Sequence, residues 1–357
     1  MKILDRYILK KFLTTFIYVV LMLVAIIIVI DITEKNDKYL RHGLALGEIL
    51  NYYAAFIPFI TNLITPITVF IATVFVTSKL AAHTEIIAML SGGVSFRRLM
   101  VPYLIGASII AVCYFYLNSY VIPDANKTRI VFENTYLSKP FYFDERNIHI
   151  KVAPNSYVFM ESYNNKRDVG YKFSIETIEG LDLKEKLTAK KIEWDTAVSK
   201  WKITDWNRRR FDGLKEIVSS GQSLDTALSI TPADFGNTKG LHEALTLTEL
   251  NEYMDELRSR GADNVNIYQI EEYIRYMAPF SVIILTLIGL IVSARKARGG
   301  TGFQIALGFV IAFVFIIFFI LSRAIAESNS MNPILAVWIP NIVFSLVGVL
   351  LYKTVPR

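Results

Sequence analysis

Six stretches of the chain carry no charged side chain and are long enough to cross a bilayer: residues 12–30, 49–78, 99–123, 276–294, 299–322 and 328–352. A helix needs roughly 20 apolar residues to span about 30 Å of hydrocarbon, and in lipid it must satisfy its own backbone hydrogen bonds. The pattern predicts six transmembrane helices with cores at 12–30, 54–77, 99–120, 277–293, 303–321 and 333–352. The first is expected to persist as an anchor, because it exceeds the core of a signal peptide and no small-x-small cleavage site follows it.

Between the third and fourth spans the period changes to two. Ile148, Ile150 and Val152 alternate, then Tyr157 and Phe159 after the turn at Pro154-Asn155-Ser156, then Tyr171, Phe173, Ile175 and Thr177. Asn164-Asn165 and Glu179-Gly180 mark turns, and further strands are predicted at 187–194 and 201–206, before Arg208-Arg209-Arg210 and the turn at Asp212-Gly213. Short strands at such spacing suggest a sandwich, jelly-roll or open barrel. Thr246 and Glu249 then form a capping box, and Leu247, Leu250, Met254 and Leu257 recur at helical spacing until Gly261. This amphipathic helix is expected to dock on the β domain or the bilayer edge. The predicted organisation is spans one to three over 1–122, a β domain over 123–245, a connecting helix over 246–275 and spans four to six over 276–357. The fold class is an α-helical polytopic membrane protein with an inserted all-β, jelly-roll-like domain.

Composition sharpens this picture. Of the 357 residues 53% are hydrophobic, yet 20% are charged, so the charge is segregated outside the spans. One set of short flanks holds Lys2, Arg6, Lys10, Lys11, Lys79, Arg97, Arg98, Arg295, Lys296, Arg298, Lys353 and Arg357; the opposite set holds only Lys35, Lys38, Arg41 and Arg323. The richer side is expected to face the cytoplasm. Both termini then lie inside and the segment of roughly 150 residues, long enough for its own core, lies outside. The net charge of +6 needs no nucleic acid to explain it.

Candidate chemistry is sparse. Gly299-Gly300-Thr301-Gly302 lacks the lysine of a phosphate-binding P-loop and reads as an inner turn. His42, His83, His149 and His242 have no metal-ligand spacing, and the single cysteine, Cys113, sits inside a span, so no metal, cofactor or catalytic set is expected. Ionisable groups are nearly absent at mid-depth, which disfavours an ion-coupled transporter. Thr61, Asn62, Thr65 and Pro66, with Asn118, Pro340 and Asn341, are expected to serve helix-helix hydrogen bonds. Energy is expected to come from a partner chain.

The inner loop between spans two and three reads as a short helix lying on the membrane face. Thr84 is its expected cap, Glu85 lies in its first turn, Ile86, Ile87, Ala88, Met89 and Leu90 follow, and Ser91-Gly92-Gly93 ends it. Together with Ile3-Leu4-Asp5-Arg6-Tyr7-Ile8, Leu247-Thr248-Glu249-Leu250 and Ile339-Pro340-Asn341, this loop resembles the lipopolysaccharide export permeases, the LptF/LptG family, along the whole chain. The opening motif leans towards LptG.

The resemblance implies the permease half of an ABC exporter in the bacterial inner membrane. On this resemblance the chain is expected to pair with a second LptF-like or LptG-like chain and to present Thr84, Glu85, Ile86, Ile87, Ala88, Met89 and Leu90 to a cytoplasmic LptB-like ATPase dimer, with the family's acidic coupling residue at Glu85. The resemblance also implies a periplasmic jelly-roll that joins LptC/LptA-like proteins in a slide for lipopolysaccharide. Tyr157, Phe159, Tyr171, Phe173 and Ile175 are the candidate acyl-chain path, and Lys35, Lys38 and Arg41 the candidate lipid phosphate ligands. Family members often carry a basic residue just inside the outer end of the first helix, where this chain has Ile28, Val29 and Ile30. A membrane-anchored binding protein and an ion-coupled transporter are the alternatives.

Overall fold

The computed structural model describes residues 3–139, 141–213, 215–261, 265–294, 300–328 and 330–353. The chain divides into two compact units: Met1–Leu137 with Leu241–Leu250 and Asn266–Arg357, and Ser138–Gly240 with Asn251–Val265.

The first unit is helical. In order it contains α1 (Ile3–His42), α2 (Leu46–Ala82), the short α3 (Glu85–Ser91), α4 (Phe96–Tyr116), α5 (Ile122–Phe132), α6 (Leu241–Ala244), the start of α7 (Leu247–Arg260), α8 (Val265–Ser293), α9 (Gly300–Glu327) and α10 (Pro333–Lys353). Six helices are long and apolar enough to cross a membrane, as expected, but their ends lie elsewhere. No breaker separates Ile30 from Gly43, so α1 continues past the apolar stretch, supported by an Asp31–Lys35 pair at 2.6 Å, and stops where Gly43 takes a φ of +61°. Charge marks where a helix leaves lipid, not where it ends.

The expected boundary at residue 123 falls inside a continuous helix. A π-helical turn at Leu117–Val121 joins α4 to α5, Pro123 lies in the first turn of α5, and a second π-helical turn at Glu133–Leu137 follows. Likewise α8 begins at Val265, so 265–275 belong to the helix of the fourth span rather than to the amphipathic one. The expected inner turn at Gly299 begins outside the described residues, and from Gly300 the glycine run forms the first turn of α9. Lys2, Arg295, Lys296, Arg298 and Arg357 of the cation-rich flank also lie outside the described residues.

The helices pack around Ile8, Phe12, Leu80, Leu99, Tyr103 and Val282, all essentially excluded from solvent. Gly106 permits this contact: a Cβ there would stand 2.6 Å from the Phe12 ring. The polar residues inside the spans divide into two groups. Asn62 donates to Asn118 Oδ1 at 3.0 Å and Asn341 to the Met277 carbonyl at 3.1 Å, linking helices as expected; Thr65 turns back to the Thr61 carbonyl of its own helix at 2.7 Å.

The second unit is a six-stranded antiparallel sheet in sequential order: β1 (Arg146–Ala153), β2 (Ser156–Asn164), β3 (Val169–Glu179), β4 (Asp182–Asp195), β5 (Lys200–Asp212) and β6 (Lys215–Thr226). Its core joins Val158, Met160, Phe173, Ile192, Trp201 and Ile203, and the Trp201 indole donates to the Ile230 carbonyl at 2.7 Å. The arginine run, expected after the strand, lies within β5. Arg208 and Arg210 reach Glu185 at 3.2 and 3.1 Å and Arg209 reaches Glu216 at 3.3 Å. The strand β6 was not anticipated. It is mostly polar and exposed, as an edge strand can be, and is held by its ladder to β5.

The capping box of α7 forms as expected. The Thr246 amide donates to Glu249 Oε2 at 2.8 Å, and the Glu249 amide to Thr246 Oγ1 at 3.3 Å. The Thr246 amide first, and then the Lys127 ammonium 3.1 Å away, hold the Glu249 carboxyl below its usual range. Leu247, Leu250, Met254 and Leu257 are all buried, and within the second unit Arg260 pairs with Asp234 at 2.7 Å.

Candidate functional site

The seven-residue α3 follows from its flanks. Gly92 and Gly93 end it, Gly93 with a φ of +85°, while the Gly93 and Val94 amides return to the carbonyls of Leu90 and Met89. Thr84 does not cap it, contrary to expectation. Its φ is +58°, and its hydroxyl donates to the His83 carbonyl at 2.7 Å. The side-chain cap in this loop belongs to the next helix, where Ser95 Oγ accepts the Arg98 amide at 3.3 Å.

Glu85 is fastened to the first helix. The Tyr7 hydroxyl donates to Glu85 Oε2 at 3.0 Å, and Lys11 Nζ lies 3.7 Å from Oε1; Lys11 also donates to the Tyr7 hydroxyl. The Glu85 side chain keeps 31% of its surface, so the carboxylate remains reachable. Beside it, Asp5 is buried and pairs with Arg98 at 2.6 Å. Thus α1 is tied to both α3 and α4 by charge.

The apolar residues of α3 separate by face. Ile86 is buried against the cluster containing Ile8, Leu80, Phe96 and Leu99, and Met89 and Leu90 are half-buried on it. Ile87 and Ala88 are exposed, Ile87 by 50%. One face anchors the helix and the other is presented outward.

At the far end of α1 the three expected cations have different surroundings. Lys35 pairs with Asp31 and donates to the Tyr52 hydroxyl at 2.7 Å; Lys38 donates to the Leu137 carbonyl at 2.8 Å; Arg41 is exposed. Lys35 belongs to a larger network. Tyr52 donates to Glu133 at 3.2 Å, Tyr53 to Asp31 at 2.8 Å, and Arg129 bridges Glu133 at 2.9 Å and Glu243 at 2.5 Å.

In the sheet, Val158 pairs with Ile175 across β2 and β3. Directly opposed residues share a face and neighbours alternate, so Tyr157 and Phe159 lie on the other face from Ile175. Phe173 and Ile175 line a cavity of 190 Å³ with Leu187, Ile203, Leu224 and Leu228 on its apolar side and Thr177, Glu185, Arg208 and Thr226 on its polar side. Tyr157 and Tyr171 are exposed, and Phe159 rests against the His149 ring. The five expected path residues therefore do not form one surface. Among the described residues, no group of three or more His, Cys, Asp or Glu side chains could hold a metal.

The family model described as "Lipopolysaccharide export system permease LptF/LptG" matches residues 6–354. The chain belongs to the LptF/LptG family. No curated protein matches it. LptF/LptG is a family of transport permeases for lipopolysaccharide export, not of enzymes.

In this LptF/LptG chain the loop sequence marks Glu85 as an acid in the first turn of α3 but not the groups that hold it. Tyr7 and Lys11 stand four residues apart, so they share a helix face, and that spacing was the available signal. The partners Asp5 and Arg98, 93 positions apart, offered no local signal at all.

Proposed function

We propose that this chain is a permease subunit of an ABC-type exporter that extracts lipopolysaccharide from the bacterial inner membrane and passes it to a periplasmic β-jelly-roll bridge. A separate cytoplasmic ATPase dimer of the LptB kind drives it. A second permease chain, LptF-like or LptG-like, completes the membrane part, and LptC/LptA-like proteins continue the bridge. In this reading α3 and both termini face the cytoplasm and the β unit faces the periplasm. The Leu4-Asp5-Arg6-Tyr7-Ile8 motif supports a reading nearer LptG than LptF.

The observation that carries this reading is the two-faced α3. Buried Ile86 fixes it to the spans while Ile87, Ala88 and the reachable edge of Glu85 point outward. A partner that moves this helix also moves α1, through Tyr7 and Lys11, and α4, through the short loop capped by Ser95. Phe173, Ile175, Leu187 and Leu224 give the cavity an apolar wall for acyl chains, beside its Glu185 and Arg208. Exposing each methylene to water costs about 0.8 kcal/mol, so such a surface lowers the cost of transit.

The test is export by purified complexes. Losing one member of a desolvated charge pair costs about 2–5 kcal/mol, whereas a wet helix-dipole contact is worth about 0.3–1 kcal/mol. Glu85→Lys is expected to abolish ATP-driven lipopolysaccharide release while the ATPase still copurifies, with Glu85→Ala milder. Wild-type export by the Glu85→Lys protein at wild-type abundance would refute the coupling role.

A further inference from the structure

The helical unit carries a second feature that the export reading leaves unused. An open apolar groove of 640 Å³ runs between Met100 and Leu104 of α4, Ile284 and Leu287 of α8, and Gly348 and Val349 of α10. Its volume lies within the roughly 300–1,000 Å³ of small-molecule sites. One end is different in kind: Arg97 and Tyr352 close it, and Arg97 Nε donates to the Tyr352 hydroxyl at 3.1 Å. That bond uses one of the five guanidinium donors. Gly348 shapes the floor, since a Cβ there would meet Ile288 at 3.3 Å.

Of these three helices, α4 and α8 extend the groove away from Arg97. The next turns line a second apolar hollow with Ser108, Val112 and Phe115 on α4 and Tyr276, Phe280 and Ile283 on α8. Positions 97, 100, 104, 108, 111 and 115 advance by three or four residues, so they form one stripe along α4. Over 18 residues that stripe is about 27 Å long, close to the thickness of the hydrocarbon. Its single cation lies at one end, at the level where the apolar part of the helix begins.

We infer that this groove binds an anionic glycerophospholipid of the surrounding bilayer, with its phosphate at Arg97 and Tyr352 and an acyl chain along α4 and α8. Charge complementarity selects this occupant. A cation beside a phenol at the mouth of an apolar slot matches a phosphate attached to a hydrocarbon tail, and basic pockets between spanning helices bind such headgroups. An apolar helix from another protein would leave the guanidinium without a counter-charge. The lipid is a resident of the fold and not the exported cargo.

The full chain in nanodiscs of mixed phosphatidylglycerol and phosphatidylcholine tests this by native mass spectrometry. Wild type should retain phosphatidylglycerol preferentially, and Arg97→Gln should lose that preference by about tenfold, the worth of one charge-assisted bond. Leu287→Trp, which fills the slot and spares the cation, should lower retention of both lipids. Retention unchanged by either variant overturns the site. Displacement of phosphatidylglycerol by added lipopolysaccharide also overturns it, because the groove would then belong to the cargo path. A photocrosslinker at Leu287 should capture lipid; capture of a protein helix instead refutes the inference. Variants that fail to run as a single folded species are replaced by Arg97→Lys, which should keep the preference while weakening it.

Discussion

Asp5 and Arg98, on different helices, meet at 2.6 Å with the carboxylate almost wholly buried. The pair fixes the first turn of α1 against the start of α4, and the next two turns of α1 hold Glu85 through Tyr7 and Lys11. Removing one partner from a buried pair strands the other, although Arg98, with 36% of its side chain exposed, can recover water. Asp5→Ala is expected to destabilise the protein by about 1–3 kcal/mol. Asp5→Ala combined with Arg98→Ala should cost clearly less than the sum, as read from thermal unfolding in detergent. Additive losses would mean that the two groups do not interact.

Tyr7→Phe removes the 3.0 Å hydrogen bond to Glu85 but leaves Lys11 nearby. The expected cost is about 0.5–1.5 kcal/mol in the seating of α3. ATP-driven export should fall severalfold, less than with Glu85→Lys, with complex assembly unchanged. An effect as severe as charge reversal would assign Tyr7 a direct contact with the ATPase.

The capping box gives a pH dependence of definite sign. The folded Glu249 carboxyl titrates below its ordinary value, so its contribution is complete above that value and disappears as pH falls through the lowered one. The loss therefore begins only below the usual glutamate range of about 4.3, and solvent screening of a carboxyl that is 43% exposed keeps it small. Amide hydrogen exchange at the start of α7 should accelerate there in the wild type. Glu249→Gln should remove the pH step and keep a weaker cap; a step that survives this change would place its origin elsewhere.

Photocrosslinkers in the sheet should distinguish its two faces during export. Ile175, Leu187 and Leu224 line the cavity and are expected to label lipopolysaccharide, whereas Tyr157 and Phe159, on the other face, should not. Equal labelling at all five positions would argue against an acyl path in that cavity.

These expectations show how far residue order alone could reach. The six spans and the first five strands announce themselves because lipid and a half-buried sheet impose strict periods on apolar residues. The strand β6 does not, since an edge strand exposes both polar faces and is kept in place by β5. Glu85 was legible as an acid in the first turn of a short helix, but its Tyr7 and Lys11 partners depend on how α1 crosses α3, which no local pattern encodes. The five aromatic and apolar residues of β2 and β3 were each found correctly as alternating. Grouping them failed because strand register, not alternation, decides which side of a sheet two strands share. Lys35 looked like a loop cation and turned out helical, with Asp31 one turn away as its counter-ion.

The π-helical turn at Leu117–Val121 sets a phase. A π turn absorbs one residue more than the α-turn it replaces, so the helix beyond it keeps its phase although the chain is one residue longer. Asn126 and Arg129 lie downstream and reach Glu243 of α6, the Asn126 amide donating to the Glu243 carbonyl and the Arg129 guanidinium to the Glu243 carboxylate. If Leu117–Val121 tightened to α-helix with no residue removed, the helix would still span, but Asn126 and Arg129 would swing by about 100° away from Glu243. A change of backbone hydrogen bonding in the apolar stretch, with no residue altered, would thus unlatch a polar network that shares none of its atoms.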